Sequence, residues 1–353
     1  MSLYTPSYTI TPSQLGVIAR QFIRARLNLL VVGEPGIGKT AILKAECAAE
    51  GTDLLILHPA VDEPIDYKGL PVHRGGEFAE FLPYGNLAKL ISATKPTTVF
   101  FDDFGHASEA VQKALMQVIY ERSVNGQKIS DQVTFIAATN GRTHKAGVTG
   151  LLEPVKSRFA AIVHLVTDLD EWTVHAHGAN FRPEVIAYCR MTPEHLSAFK
   201  PTADLTQSPS PRTWEAASKI LDLNLPDAIR NPLLVGAIGD EAGVRFIGYL
   251  PVFNETPSID GILSDPDGAP IPEKIGALHA VASGLSRRID DLNFGNAWVY
   301  LQRLEAAEHG EIVSYILNTV LKLKKEVQQT STWQAVAASP SGKRIQQALA
   351  MTF

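Results

Sequence analysis

The pattern Gly-x-x-x-x-Gly-Lys-Thr at residues 33–40 limits the possible folds more than any other feature of this sequence. The apolar run Leu27–Val32 precedes it, and a helical pattern from Gly38 to Ala49 follows it. A loop of this kind between a strand and a helix turns its backbone N–H groups inward as a cradle for anions. The positive end of the helix dipole points to the same place. The segment therefore predicts a phosphate-binding loop within an α/β fold.

Two side chains of this loop predict what binds there. Lys39 supplies a full positive charge to the β- and γ-phosphates of a nucleotide, and Thr40 offers its hydroxyl to Mg²⁺. ATP and Mg²⁺ are therefore the expected cofactors. The alternative is a chance glycine-rich turn, which the flanking strand and helix disfavour. The predicted nucleotide contacts of the loop are Gly33, Glu34, Pro35, Gly36, Ile37, Gly38, Lys39, Thr40 and Ala41.

Short apolar runs alternate with helical patterns in the first half of the chain, which predicts a five-stranded parallel sheet with helices on both faces. The runs are Leu27–Val32, Asp53–Leu57, Thr97–Phe101, Val133–Ala138 and Ile162–Val166. Gly69–His73 and Phe78–Leu82 are expected to pair as a hairpin. Beyond Thr167 the patterns are helical, including Leu233–Leu250, and a loop is expected over Pro251–Pro272. The predicted domains are 1–167 with an insert at about 62–83, a helical lid at 168–260 and a helical extension at 261–353.

Polar side chains follow two of the predicted strands. Asp102 and Asp103 come directly after Val99–Phe101, at the strand end where open α/β sheets bind ligands. Asp102 is expected to hold Mg²⁺, and Asp103 to orient and polarise the attacking water. The alternative is an exposed acidic turn. Asn140 follows the next strand and is a candidate to bridge the γ-phosphate and the water, although asparagine is also common in turns.

The order of these segments, followed by Leu152–Phe159 and Ser210–Arg212, resembles that of an AAA+ ATPase. It is most similar to the MoxR-like branch, which is related to dynein-type and McrB-like modules. The segment Asp62–Leu82 resembles the insertion that this branch carries in its second helix. The resemblance covers about residues 11–250.

The resemblance implies a homo-oligomeric ring, usually a hexamer, with ATP at the subunit interfaces. Arg158 occupies the position of the arginine finger that reaches the neighbour's γ-phosphate, and Arg212 that of the sensor arginine in the helical lid. The alternative for Arg158 is a helix-end arginine with a surface partner, and for Arg212 an ordinary residue of a helix N-terminus. Asp103 departs from the family pattern, which usually has Glu there. Because a misplacement of about 1 Å costs about a hundredfold in rate, slow hydrolysis is one expectation.

Three functions follow from this reading. The first is an ATP-driven ring that remodels a protein client, for which the resemblance implies a partner with a von Willebrand factor A domain. The second is a nucleic-acid motor of the McrB-like kind, which the net charge of −5 disfavours. The third is a structural ring that binds nucleotide and hydrolyses it slowly. A small-molecule kinase is disfavoured, because it would not need Asn140, Arg158 and Arg212 in that order.

Other features carry weaker signals. The chain has only two cysteines, no apolar run of membrane-spanning length and no secretory signal at its start. A cytoplasmic protein that is not associated with a membrane is therefore expected. Histidines 164, 175 and 177 suggest a metal site, but two of them are spaced wrongly for one helix face. His58 is a candidate contact of Asp103. Arg122 and Arg142 are candidate secondary interface arginines.

Overall fold

The computed structural model describes residues 8–73, 75, 78–141, 150–202, 204–339 and 342–343. The chain divides into two units. The first runs to Thr167 and also includes Phe199–Pro201. The second comprises 168–198 and the chain from Thr202 onward. The three predicted domains, with boundaries after residues 167 and 260, stay a prediction.

The first unit contains nine strands and six α-helices among its described residues. The strands are β1 (Leu29–Val32), β2 (Asp53–Leu57), β3 (Leu70–His73), β4 (Ala79–Leu82), β5 (Thr97–Phe101), β6 (Ser123–Val124), β7 (Gln127–Lys128), β8 (Val133–Thr139) and β9 (Ala161–His164). The helices are α1 (Pro12–Ala25), α2 (Lys39–Ala49), α3 (Pro64–Lys68), α4 (Gly85–Ser92), α5 (Glu109–Met116) and α6 (Glu153–Lys156). A 3-10 turn spans Phe104–His106, and a π-helical turn spans Gln117–Glu121.

Five strands form a parallel sheet in the order β2-β5-β8-β1-β9, which confirms the predicted sheet. Alternate side chains enter two separate cores, one on each face. Leu30 packs into the core that contains Phe101 and Phe135, whereas Leu29 and Val31 pack into the opposite one. Burial on both faces explains why these strands read as continuous apolar runs.

The edge of the sheet where its strands end is fixed by strand register and by aromatic packing. The rings of Phe101 on β5 and Phe135 on β8 stack with their centroids 5.8 Å apart. Phe101 is the register partner of Ala137, so β5 and β8 run in step to their carboxyl ends. β8 then pairs with β1. The residues that follow these three strands therefore lie side by side.

The start of β1 differs from its prediction by two residues. Leu29, not Leu27, begins the strand. Arg26 ends α1 in the left-handed conformation, with φ +54°, and Leu27 is 44% exposed. The turn between helix and strand thus takes up the first part of the apolar run.

The predicted hairpin is present as the antiparallel pair β3–β4, with Leu70 opposite Leu82. Two tyrosine–aspartate hydrogen bonds secure the segment around it. Tyr67 donates to Asp62 at 2.5 Å, and Tyr84 donates to Asp66 at 2.6 Å. Burial, together with the bond to Asp62, raises the pKa of Tyr67, so its hydroxyl remains a donor at neutral pH.

The described part of the second unit contains ten α-helices. They are α7 (Leu169–Gly178), α8 (Pro183–Met191), α9 (Pro211–Asp222), α10 (Asp227–Ile238), α11 (Asp240–Asn254), α12 (Ile259–Ser264), α13 (Ile275–Arg288), α14 (Phe294–Ala306), α15 (Gly310–Leu323) and α16 (Thr332–Ala338). One apolar core surrounds Tyr188, Trp214 and Phe246, and another contains Trp298 and Leu317. In the part of the chain that the structure covers, no helix is both long and apolar enough to cross a bilayer.

Two sequence predictions for the second unit are wrong. The predicted helix Leu233–Leu250 is divided at Gly239, whose φ is +95°. A Cβ at this position would lie 2.4 Å from the carbonyl oxygen of Gln207, so a long-range contact requires glycine there. The expected loop Pro251–Pro272 contains α12, which Ser258 caps by accepting a hydrogen bond from the Gly261 N–H.

His177 makes the stability of the second unit depend on pH. Burial, with contributions from the nearby cations Arg287, Lys324 and Arg190, lowers its pKa to about 4. The unfolded chain, with a histidine pKa of about 6.5, binds a proton that the folded state rejects, so stability is full above pH 6.5 and falls towards pH 4. We expect this residue to remove about 3 kcal/mol of unfolding free energy across that range.

Denaturant unfolding of His177→Gln at several pH values checks this expectation. The variant loses the hydrogen bond at 3.1 Å between His177 Nε2 and the Tyr315 hydroxyl, so its overall stability is lower. Its stability should nevertheless fall less steeply with pH than that of the wild type, by about one proton. Equal slopes for the two proteins would contradict the assignment.

Candidate functional site

The loop between β1 and α2 has the backbone shape that phosphate binding requires. Gly36 and Gly38 have φ of +80° and +97°, a region that residues with a Cβ rarely adopt. Gly38 is the N-cap of α2, so the first turn of that helix presents unsatisfied N–H groups beside the loop. The inward N–H groups favour binding of an anion at the N-terminus of α2, and the helix dipole favours an anion at the same place.

Lys39 is the central cation of the loop and is only 7% exposed. Its ammonium donates hydrogen bonds to the carbonyl oxygens of Gly33, at 2.9 Å, and Glu34, at 2.8 Å. It also donates to Asn140 Oδ1 at 3.1 Å. These acceptors are neutral oxygens that hold the charge in place without cancelling it. A bound phosphate would replace one of these acceptors around the ammonium.

Asp102 and Thr40 join the end of β5 to the start of α2. The Thr40 hydroxyl donates to Asp102 Oδ2 at 2.8 Å, and Asp102 Oδ1 accepts from the Asp103 N–H at 3.1 Å. Hydroxyl and carboxylate oxygens are hard ligands of the type that Mg²⁺ binds alongside phosphate oxygens and water. The two side chains therefore fit a magnesium ion, and they would hold it beside the phosphate loop.

Asp103 has an unusual backbone conformation, with φ +52°, and its side chain is 52% exposed. Its Oδ1 accepts a hydrogen bond from Asn140 Nδ2 at 3.4 Å. Asn140 thus contacts the Lys39 ammonium through its oxygen and the Asp103 carboxylate through its nitrogen. The loop, the acidic pair and Asn140 form one polar cluster at the ends of β1, β5 and β8.

His106 is a neighbour of this cluster that the sequence reading missed. Its Nδ1 lies 4.0 Å from Asp103 Oδ1. The 3-10 turn Phe104–His106 brings the imidazole of His106 back towards Asp103, the residue that precedes the turn. The signal available in the sequence was a histidine three residues after a strand-end acid. The contact between the two side chains, however, depends on a tight turn that the sequence does not specify.

Arg158 lies two residues beyond α6, outside this cluster. Its Nε is buried, and within the described residues it has no hydrogen-bond partner. No carboxylate of the described chain forms an ion pair with it. The finger role remains a prediction, because it requires a second subunit.

Arg212 belongs to the second unit, where it is exposed in the first turn of α9. The helix begins at a capping box in which Ser210 and Thr213 satisfy each other's backbone N–H groups. A cation is disfavoured at this end of a helix dipole, which leaves the guanidinium suited to an external anion. The sensor role of Arg212 remains a prediction.

The weaker candidates have four different outcomes. Arg122 donates to the carbonyl oxygens of Ser130 and Val133, at 2.9 and 2.8 Å, so it has a structural role here. Arg142 lies outside the described residues. His58 is exposed at the end of β2. Across the described residues, no three histidine, cysteine, aspartate or glutamate side chains are grouped so as to hold a metal. Histidines 164, 175 and 177 therefore do not form such a group there.

The sheet order and the phosphate loop after β1 give the first unit the α/β phosphate-loop core that the sequence predicts. No protein-family model and no curated protein matches the chain. Among solved structures, the Thermotoga maritima RuvB Holliday junction branch migration motor is similar over 78% of this chain and 80% of its own, at 17% identity and a TM-score of 0.41. Brucella abortus NtrX in complex with ATP is similar over 87% of this chain and 69% of its own, at 12% identity and a TM-score of 0.42. These likenesses are distant.

Substitution of Asp102 tests the magnesium assignment. Asp102→Asn removes the negative charge but keeps the shape, so we expect MgATP affinity to fall about tenfold or more, while affinity for ATP in excess chelator changes little. Titration with a fluorescent ATP analogue, with and without Mg²⁺, measures both. Asp103→Asn is the matched control, and its MgATP affinity should stay near the wild-type value. Equal losses in both variants would contradict separate roles for the two acids.

Proposed function

We propose that this chain is a magnesium-dependent ATPase of the AAA+ type that works as a homo-oligomeric ring. The observation that supports this most is the single polar cluster in which Asn140 contacts both Lys39 and Asp103 while Thr40 contacts Asp102. A binding-only phosphate loop needs the cation and the metal ligands. It does not need a half-exposed carboxylate oriented by an amide beside them.

The residues divide the chemical work. Bound MgATP supplies the γ-phosphoryl group that water attacks. Lys39 stabilises negative charge on the phosphate oxygens, because its ammonium is buried and held in place beside the loop by backbone carbonyl oxygens. Asp103 accepts the proton of the attacking water, and Asn140 orients that carboxylate and the water. Arg158 of an adjacent subunit adds positive charge to the transition state.

The ring is inferred from Arg158 rather than from the cluster. A half-buried guanidinium without a carboxylate partner in the described residues suits an anion supplied from outside the subunit. Arg212 is proposed to sense the γ-phosphate from the helical lid. A ring in which each subunit completes its neighbour's site uses one heterologous interface repeatedly. A hexamer of the MoxR-like kind is the proposed assembly.

The proposed work of the ring is to remodel or activate a protein client in the cytoplasm, with a partner that carries a von Willebrand factor A domain. Exposed apolar residues on the hairpin insert, Phe78 at 79% and Phe81 at 45%, favour a protein client. The net charge of −5 disfavours a nucleic-acid motor, the alternative function. Salt-sensitive stimulation of ATPase activity by DNA or RNA would reverse this order.

Asp103→Asn tests the hydrolysis step. The amide cannot accept the proton, so we expect turnover to fall about 10²- to 10⁴-fold, the usual contribution of a general base. ATP affinity should stay within about threefold, because the Lys39 contacts are unaffected. Steady-state phosphate release and equilibrium ATP binding are the two measurements. Unchanged turnover would remove Asp103 from the mechanism.

Mixing two inactive variants tests the action of Arg158 across an interface. Asp103→Asn subunits lack the base but keep the finger, and Arg158→Ala subunits lack the finger but keep the base. In randomly mixed rings about a quarter of the interfaces then join an intact base to an intact finger, so activity should reappear on mixing. Arg24→Ala is the arginine control, since it breaks only the exposed pair with Glu50 and should leave turnover unchanged.

Two results would contradict this arrangement. Arg158→Ala with wild-type turnover would remove the finger. Two slow variants whose mixture stays slow, although native mass measurement shows mixed rings, would place Arg158 in its own subunit's site.

A further inference from the structure

Among the described residues, Arg158 is held by an aromatic ring rather than by an acid. The centre of its guanidinium lies 3.8 Å from the centroid of the Tyr120 ring. At this separation the planar cation stacks on the ring face, which is a favourable cation–π contact. Tyr120 itself is 62% exposed, so most of this large side chain lies at the surface of the first unit.

Other arginines of the same unit are neutralised or used for structure. Arg20 and Arg24 pair with Glu46 and Glu50 at 2.9 and 2.6 Å. Arg122 donates to two backbone carbonyls. An acid beside Arg158 would satisfy its charge and compete with a phosphate. A ring face orients the guanidinium and leaves its charge for an incoming anion.

The backbone around Tyr120 is irregular in a way that supports this role. α5 ends at Met116 and continues as the π-helical turn Gln117–Glu121, which the left-handed Arg122 ends at φ +48°. A π-helical turn widens the helix and changes the direction of its side chains, and such turns are frequent at functional sites. Here the turn carries the ring that meets Arg158.

Asn28 connects the two segments that carry this stack. Its side-chain amide donates to the carbonyl oxygen of Arg158 at 3.2 Å and to that of Ile119 at 3.5 Å. Ile119 is the residue before Tyr120, and Asn28 immediately precedes β1, the strand that leads into the phosphate loop. The stack is thus fixed to the same strand that carries the subunit's own nucleotide loop.

We propose that Tyr120 is a positioning residue for Arg158, whose guanidinium its ring directs towards the nucleotide of the adjacent subunit. This inference rests on the proposed finger role of Arg158. The ring face makes the contact, so phenylalanine should replace tyrosine at this position and an aliphatic residue should not. Because Tyr120 is largely exposed, its replacement leaves the buried cores intact.

The test compares four variants: Tyr120→Leu, Tyr120→Phe, Arg158→Ala and the double variant Tyr120→Leu/Arg158→Ala. Turnover of the assembled ring, ATP affinity and native mass are measured for each. Tyr120→Leu should lower turnover about 3- to 30-fold at unchanged ATP affinity and ring size, the range that loss of a cation–π contact predicts. Tyr120→Phe should retain turnover. The double variant should be no slower than Arg158→Ala, because the ring acts only through the arginine.

The outcomes separate this inference from the function on which it rests. If Arg158→Ala has low turnover while Tyr120→Leu keeps wild-type turnover, the positioning role alone is overturned. An additional loss in the double variant does so too, because it shows a structural effect independent of Arg158. An unaffected Arg158→Ala overturns the proposed finger itself. Mixing Tyr120→Leu with an equal amount of Asp103→Asn subunits, which keep an intact stack, should raise the turnover per Tyr120→Leu subunit, because about half of these subunits then receive an intact finger.

Discussion

The site depends on one buried cation and on the neutral oxygens that hold it. Lys39 lies at the start of α2 and is almost fully buried, a position that is unfavourable for an ammonium unless its hydrogen bonds are satisfied. Carbonyl oxygens of the loop and the side-chain oxygen of Asn140 satisfy them without adding negative charge. The result is a fixed positive centre in a poorly hydrated place, where charges interact more strongly than in water. The acidic pair is tied to the same centre through Asn140 and Thr40.

Parallel strand order explains why the sequence predicts this much of the site. The phosphate loop, Asp102 and Asn140 each follow an apolar run, and the carboxyl ends of parallel strands meet at one edge. Proximity therefore follows from the fold class alone. The flanking strand and helix similarly specify the loop, because the glycines and the lysine indicate a phosphate loop only when they lie between a strand and a helix.

Features that depend on contacts between distant segments were not predictable. Gly239 divides a continuous helical pattern because the carbonyl of Gln207 occupies the space a Cβ would need. Tyr120, which meets Arg158, lies in a π-helical turn that the helical pattern of the sequence does not predict. The approach of His106 to Asp103 needs a tight turn. Periodicity and motif spacing describe regular local structure. The first two contacts join distant segments, and the third, although only three residues apart, depends on an irregular turn.

The aspartate at position 103, where the resembled family has glutamate, agrees with the backbone it occupies. Its φ of +52° is left-handed, a conformation in which aspartate is several-fold enriched among residues with a Cβ because its short polar side chain interacts locally. A glutamate there would gain reach but lose that preference. The left-handed turn places the shorter carboxylate within reach of the Asn140 amide. The backbone turn thus compensates for the shorter side chain of aspartate. The residue type alone does not establish that hydrolysis is slow. In the proposed mechanism, the rate depends on how well the Asp103–Asn140 pair holds a water in line with the phosphate that Lys39 binds.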